Sequence, residues 1–233
     1  MQSYFYAIWS LSFLIIWIVL YIFLPKHRRS MFWTSWNFAP AGPVSEYWLY
    51  SDYWHPQYLI DIRIFNWHFG IEDYLLVFAT AGISVAIFEL IASRENFTAI
   101  PKVSPKTYFK MKFWGFIGFV IMILLSMIGL NAFNANTLTV GIVIILIQYR
   151  HLRIFILSFL SAVIFTFFYI LYFVFFLLPI FPGVIEKYWN LQNTFGIKWM
   201  GIPIEEFIWS FFACLFADPI YRICSTKNLF GKF

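Results

Sequence analysis

Pro203-Ile204-Glu205-Glu206-Phe207-Ile208-Trp209 opens the last long apolar segment of this 233-residue chain. A second acidic pair, in Gly70-Ile71-Glu72-Asp73-Tyr74, opens another apolar segment 133 residues earlier. Ionisable groups are costly next to hydrocarbon and mark functional positions there. Two such pairs at matching places predict a duplicated unit built around buried carboxyl chemistry.

The surrounding composition sets the class. Hydrophobic residues make up 62% of the chain and charged residues 12%, against about 25% charged in a soluble domain. The expectation is an all-α integral membrane protein. A crossing takes roughly 20 apolar residues, and such segments occur at 4–24, 72–92, 113–132, 152–182 and 203–222. The stretch 135–149 is short. The stretch 31–50 is broken by Pro40, Gly42 and Pro43, so it reads either as a crossing or as an interfacial, re-entrant segment.

Loop charge favours a crossing there. With all seven segments crossing, one face holds 13 of the 16 basic residues and the other only Arg63, Lys187 and Lys198. If 31–50 stays on one side, the split falls to 10 against 6. Basic residues gather on the cytoplasmic side, so the N-terminus is expected outside and the C-terminus in the cytoplasm, in a multi-pass inner-membrane protein. The stretch Arg94 to Lys112, with Pro101 and Pro105, reads as a cytoplasmic loop suited to anionic lipid. The first span has no basic leader and no small-residue cleavage site, so it reads as a retained anchor.

The basic step Lys26-His27-Arg28-Arg29 after the first span reappears as Arg150-His151-Leu152-Arg153 after the fifth. A tryptophan-bearing loop precedes each acidic pair, with Trp54 in one and Trp189 in the other. Glu46 and Glu186 stand before those tryptophans. The simplest reading is about seven helices, arranged as two parallel three-helix repeats joined by a linking helix. The expected units are a first repeat at 1–95, a cytoplasmic loop and linking helix at 96–133, and a second repeat at 134–233.

Neighbouring helical residues point about 100° apart. Glu205 then shares a stripe with Trp209, Phe212 and Phe216, suited to an aromatic cavity. Glu206 shares one with Ser210, Ala213 and Ala217, suited to close helix contact. Paired carboxyls in one apolar pocket supply a proton donor and an acceptor, although helix capping explains acidic residues at a helix mouth equally well. Aromatic faces, tryptophan above all, stabilise cations. His55 and His68 have no ligand spacing, and no nucleotide loop, nucleophile elbow or cofactor motif is present, so neither metal nor cofactor is expected. Cys214 and Cys224 read as helical thiols outside any disulfide framework.

Pro203-Ile204-Glu205-Glu206, with Gly196-Ile197 and Gly201-Ile202 before it, resembles the helix-mouth motif of the lycopene cyclase domain family of membrane carotenoid cyclases. The earlier half resembles it through His55-Pro56-Gln57-Tyr58 to Ile64 and Ile71-Glu72-Asp73-Tyr74. Gly70 stands where the family has proline, and Asp73 where it has glutamate. The resemblance implies a redox-neutral cyclisation of a linear carotenoid end group. A carboxylic acid protonates the terminal double bond, a double bond further along attacks the cation, and a base removes a proton. Glu205 and Glu206 are then the expected acid/base pair, Glu72 and Asp73 a second or supporting pair, and Trp209, Phe212 and Pro203 substrate contacts. Expected partners are a linear carotenoid from the lipid phase, the bilayer, and other protein subunits in a homo- or hetero-oligomer, with no nucleic acid. The competing expectations are a non-catalytic carotenoid-binding or assembly subunit and a small proton-coupled transporter.

Overall fold

The computed structural model describes residues 2–94 and 105–225. Helix α1 is Phe5–Phe23, α2 Arg28–Phe38, α3 Ala41–Leu49, α4 Ile71–Arg94, α5 Pro105–Met127 and α6 Ala132–Gln148. Helix α7, Leu152–Tyr172, runs on through a π-helical stretch, Phe173–Leu177, into the short α8, Leu178–Ile180. Helix α9 is Val184–Tyr188 and α10 is Ile204–Ser225. The only strands among the described residues form two antiparallel hairpins. In one, β1 (Ile62–Ile64) pairs with β2 (Trp67–Phe69); in the other, β3 (Lys198–Trp199) pairs with β4 (Ile202–Pro203). One hairpin leads directly into α4 and the other into α10.

The chain is an all-α membrane protein. Five helical stretches are long and apolar enough to cross a bilayer: Gln2–Phe23, Ile71–Arg94, Lys106–Met127, Leu152–Ile180 and Ile204–Ser225. Ala132–Gln148 is apolar but shorter. The segment expected at 31–50 is neither one straight span nor a surface loop. It is α2 and α3, interrupted at Ala39-Pro40, where proline removes a backbone donor and clashes with the preceding turn. The broken segment lies along the whole of α4. His27, just before α2, stands 3.7 Å from Glu89 near the C-terminal end of α4, and Gly42 on α3 lies against the carbonyl of Asp73 at its N-terminal end. A side chain at Gly42 would occupy the space of that carbonyl.

The third long helix also starts earlier than expected. Helix α5 begins at Pro105, not at 113, and ends at Met127. Proline is favoured in the first turn of a helix, where its missing N–H has no partner to lose. Residues 105–112 are therefore helical and not loop. The rest of the expected lipid-touching loop, 95–104, lies outside the described residues.

Helices α4 and α10 form the centre, since both are buried over most of their length while α5 is exposed along nearly all of its own. They are joined by polar contacts that a hydrocarbon surround makes obligatory. Arg222 donates from Nε to Glu89 Oε1 at 3.0 Å and from Nη2 to Glu89 Oε2 at 2.5 Å, a forked pair with good geometry. Nearer the middle, the Ser84 hydroxyl donates to Asp218. Helix α1 packs on the other side of α4, where Trp17 donates its indole N–H to Ser35 Oγ at 3.0 Å and both groups rest against Gly82.

Pro219 sits inside α10 and leaves the carbonyl of Leu215 without its usual i+4 donor. The side-chain amide of Gln148, at the end of α6, donates to that carbonyl at 2.8 Å. A neighbouring helix thus replaces the bond that proline removed, as broken helices in membranes require.

Two stability outcomes follow. Gln148→Leu leaves the Leu215 carbonyl unpaired and is expected to destabilise the bundle by about 1–3 kcal/mol, read as a lower unfolding midpoint in detergent. Glu89→Gln leaves the Arg222 charge buried without its carboxylate, at a cost of about 3–5 kcal/mol, and joint replacement of both by apolar residues recovers most of that loss.

Candidate functional site

Both acidic pairs stand in the first turns of buried helices, and loops fold over them. Residues 53–55 run beside 188–190. His55 N–H donates to the Tyr188 carbonyl at 2.8 Å and Asn190 N–H to the Tyr53 carbonyl at 2.9 Å. Trp54 and Trp189 face each other in an antiparallel bridge, with ring centroids 5.6 Å apart. This backbone pairing fastens the two tryptophan loops into one cap over the ends of α4 and α10.

Under the cap, Glu206 is 4% exposed and accepts three hydrogen bonds. Tyr53 O–H donates to Oε1 at 2.7 Å, Trp189 N–H to Oε1 at 2.9 Å, and Tyr169 O–H to Oε2 at 2.6 Å. The donors come from two loops and from α7, so three separate parts of the chain converge on one carboxyl. Burial, with the Glu206 carboxyl beside it, pushes the Tyr53 hydroxyl well above the ordinary phenol range. Tyr53 therefore keeps its proton and remains a donor. Glu205 is equally buried but faces elsewhere. Its Oε1 accepts the backbone N–H of Phe195 at 2.5 Å, and its Oε2 has no partner.

The first pair divides its work in the same way. Glu72 Oε1 accepts the backbone N–H of Leu59 at 2.7 Å, and its Oε2 has no partner. Asp73 is 1% exposed and takes Tyr6 O–H on Oδ1 at 2.6 Å and Gly70 N–H on Oδ2 at 2.8 Å. A third carboxyl joins this side. Glu46 on α3 is 4% exposed and accepts Trp54 N–H on Oε1 at 3.1 Å, with the Tyr58 hydroxyl 3.3 Å from Oε2. Burial, and the Glu46 and Asp73 charges near it, push the Tyr58 hydroxyl far above its ordinary value.

Glu46, Asp73 and Glu206 all line one cavity of about 190 Å³. Its other walls include Trp9, Tyr53, Trp54, Trp209, Phe212 and Phe216. A dry cavity of roughly 150 Å³ holds a benzene-sized hydrocarbon, so this one has room for a ring-sized piece of an apolar molecule. A smaller void of about 30 Å³ continues from Trp209 and Ala213 towards Ser84 and Cys214. Ala41 and Ser45 on α3, and Asn136 and Thr137 on α6, line the larger cavity and are not fully buried.

Trp209 and Phe212 thus stand on the cavity wall, with Trp209 5.9 Å from the Tyr169 ring. Pro203 is buried in β4 opposite Lys198 and does not line the cavity. Of the four acidic residues singled out, the structure brings Asp73 and Glu206 to the cavity and turns Glu72 and Glu205 into the loops. Trp209 and Phe216, expected on the Glu205 stripe, face the cavity with Glu206, three and ten residues before them, as does Ala213 from the stripe expected for Glu206. Glu186 is not comparable to Glu46: it is exposed and pairs with Lys198 at 2.7 Å. Sequence reasoning left Tyr6, Tyr53 and Tyr169 unnamed, and no spacing relates them to the acids they serve.

Fold and site together define an all-helical membrane protein with a carboxyl-lined aromatic cavity walled by α1, α3, α4, α6 and α10. Residues 132–224 match the family model described as lycopene cyclase. The match runs from the start of α6 into the last turn of α10, so it takes in Tyr169, Trp189, Glu205 and Glu206. No curated protein and no solved structure matches the chain.

Glu205 is placed to hold the loop 190–201. Glu205→Ala is expected to speed backbone hydrogen exchange in that loop, at Phe195 above all, while exchange in the middle of α10 stays at the parental rate.

Proposed function

We propose that the chain closes the end group of a linear, lycopene-type carotenoid into a ring, as a redox-neutral intramolecular lyase or isomerase. The observation that carries this reading is the single cavity onto which Glu46, Asp73 and Glu206 all face, with aromatic rings between them. Acid and base in one apolar pocket are what a protonation-initiated closure requires. A carboxyl O–H breaks as its proton forms a C–H bond at the terminal double bond. The resulting cation is attacked by the electron pair of a double bond further along, which closes the ring. A carboxylate then takes a proton from the ring, and the C–H electron pair restores a double bond.

Trp9, Trp54 and Trp209 present rings to the space where the cation develops, and ring faces attract cations. The cap of paired tryptophan loops keeps water from trapping it. Two copies of one unit, 1–95 and 134–233 around a linker at 96–133, account for the layout. In both, a hairpin leads into a helix whose first acid holds the loop and whose second faces the cavity. The substrate arrives from lipid between α3 and α6, past Ala41, Ser45, Asn136 and Thr137. The orientation that places the basic loops in the cytoplasm puts this site near the outer face of the inner membrane.

Expression in a lycopene-accumulating bacterium, with pigment analysis, tests the reading. The parent chain is expected to yield cyclic carotenoid. Glu206→Gln is expected to lower ring formation by about 100-fold or more, and Glu205→Gln by much less. Unchanged linear pigment with a well-expressed parent chain would leave a carotenoid-binding or assembly role in its place.

A further inference from the structure

Glu46 belongs to neither acidic pair, yet it is the carboxyl best placed to carry the proton. Its two oxygens differ in their partners. An indole N–H only donates, so the Trp54 N–H on Oε1 makes that oxygen an acceptor. A hydroxyl gives or receives, so Tyr58 facing Oε2 at 3.3 Å is able to accept from a protonated carboxyl. Glu206 is built the other way. It takes three donors at 2.6–2.9 Å, the surround of an acceptor. Among the three carboxyls that face the cavity, charge settles on the one with the most and shortest donors, and the proton on Glu46, whose partners are the most distant at 3.1 and 3.3 Å.

Backbone geometry brings Glu46 to this position. Gly42 lies against the Asp73 carbonyl with no space for a side chain, so α3 meets α4 backbone to backbone at the mouth of the cavity. Glu46 is one helical turn further on, on the same face of α3, and its carboxyl enters the cavity wall beside Asp73. The second half offers no counterpart, since Glu186 is exposed and paired with Lys198.

Resting on the cyclase reading, we propose that Glu46 is the catalytic acid and Glu206 the catalytic base. The Glu46 Oε2–H bond breaks and its proton forms the new C–H bond at the terminal double bond of the polyene. After closure, Glu206 takes the proton released from the ring. Exchange with solvent returns a proton to Glu46 and removes one from Glu206, so the cycle neither gains nor loses protons or electrons. Asp73, held by Tyr6 and Gly70, is a positioning residue that fixes the depth of α3 against α4.

Isotope exchange separates acid from base. Purified full-length chain in lipid vesicles is given lycopene in D2O, and pigments are read by mass spectrometry. The parent is expected to place one deuterium in each ring it closes. Glu206→Gln is expected to lose ring formation while deuterium still enters the linear pigment, because the cation forms and returns its proton. Glu46→Gln is expected to lose both by about 100-fold or more. Gly42→Ala, which removes no carboxyl but pushes α3 and with it Glu46 off α4, is expected to slow deuterium entry, and it decides the assignment if Glu46→Gln does not fold. Deuterium entry at the parental rate in folded Glu46→Gln or in Gly42→Ala, or its loss in Glu206→Gln, overturns the assignment. A parent that neither closes rings nor exchanges overturns the cyclase reading itself.

Discussion

A carboxyl group cannot be buried among hydrocarbon side chains unless donors are brought to it, and most of this architecture is the means of bringing them. Glu206 requires Tyr53 from the first loop, Tyr169 from α7 and Trp189 from the second loop. Asp73 requires Tyr6 from α1 and the turn at Gly70. Each acid therefore draws together segments far apart in the chain. The backbone pairing of 53–55 with 188–190 is what places Tyr53 and Trp189 on the same oxygen. An unpaired buried carboxylate would cost several kcal/mol, comparable to a large part of a domain's whole stability.

The same requirement governs the opposite end of the central helices. Glu89 and Arg222 each lie 16 residues beyond the second acid of their own helices, Asp73 on α4 and Glu206 on α10, and they form one forked ion pair. Ser84 and Asp218 meet between the two ends. The α4–α10 seam is thus polar at its middle and at the Glu89 end, while at the acidic end both helices line the cavity. For the proposed ring closure, rigidity below the cavity matters because a proton donor and acceptor work only when held within hydrogen-bond reach of the reacting carbons.

Much of this was legible from local sequence. Helix α10 starts within a residue of its expected position because Pro203 and the acidic pair after it mark a helix N-terminus by local chemistry. The break at Pro40 was equally local. The start of α5 was misplaced because Lys106, Lys110 and Lys112 read as loop charge, whereas Pro105 sits in the first turn of a helix that carries those lysines. The register at the site was not legible at all. Trp209 lies four residues after Glu205 and three after Glu206, so helical spacing admits either acid to its face. What decides is the amide of Phe195, which captures Glu205 from a loop whose path the sequence does not state.

The tyrosines show the limit most clearly. Tyr6, Tyr53 and Tyr169 are three of 14 tyrosines in a chain with 24% aromatic residues, and nothing local distinguishes them from interfacial rings. What sets them apart is that the fold points their hydroxyls at buried carboxyls. Glu46 presents the converse case. In the sequence it stood out only as an acid before Trp54, in a segment that looked too broken to place it. The break is the reason it arrives: the chain turns at Pro40, Gly42 lets α3 settle against the Asp73 carbonyl, and the next turn carries the carboxyl into the cavity wall. The proline and glycine that obscured this segment as a membrane crossing are thus the residues that build the acidic side of the site.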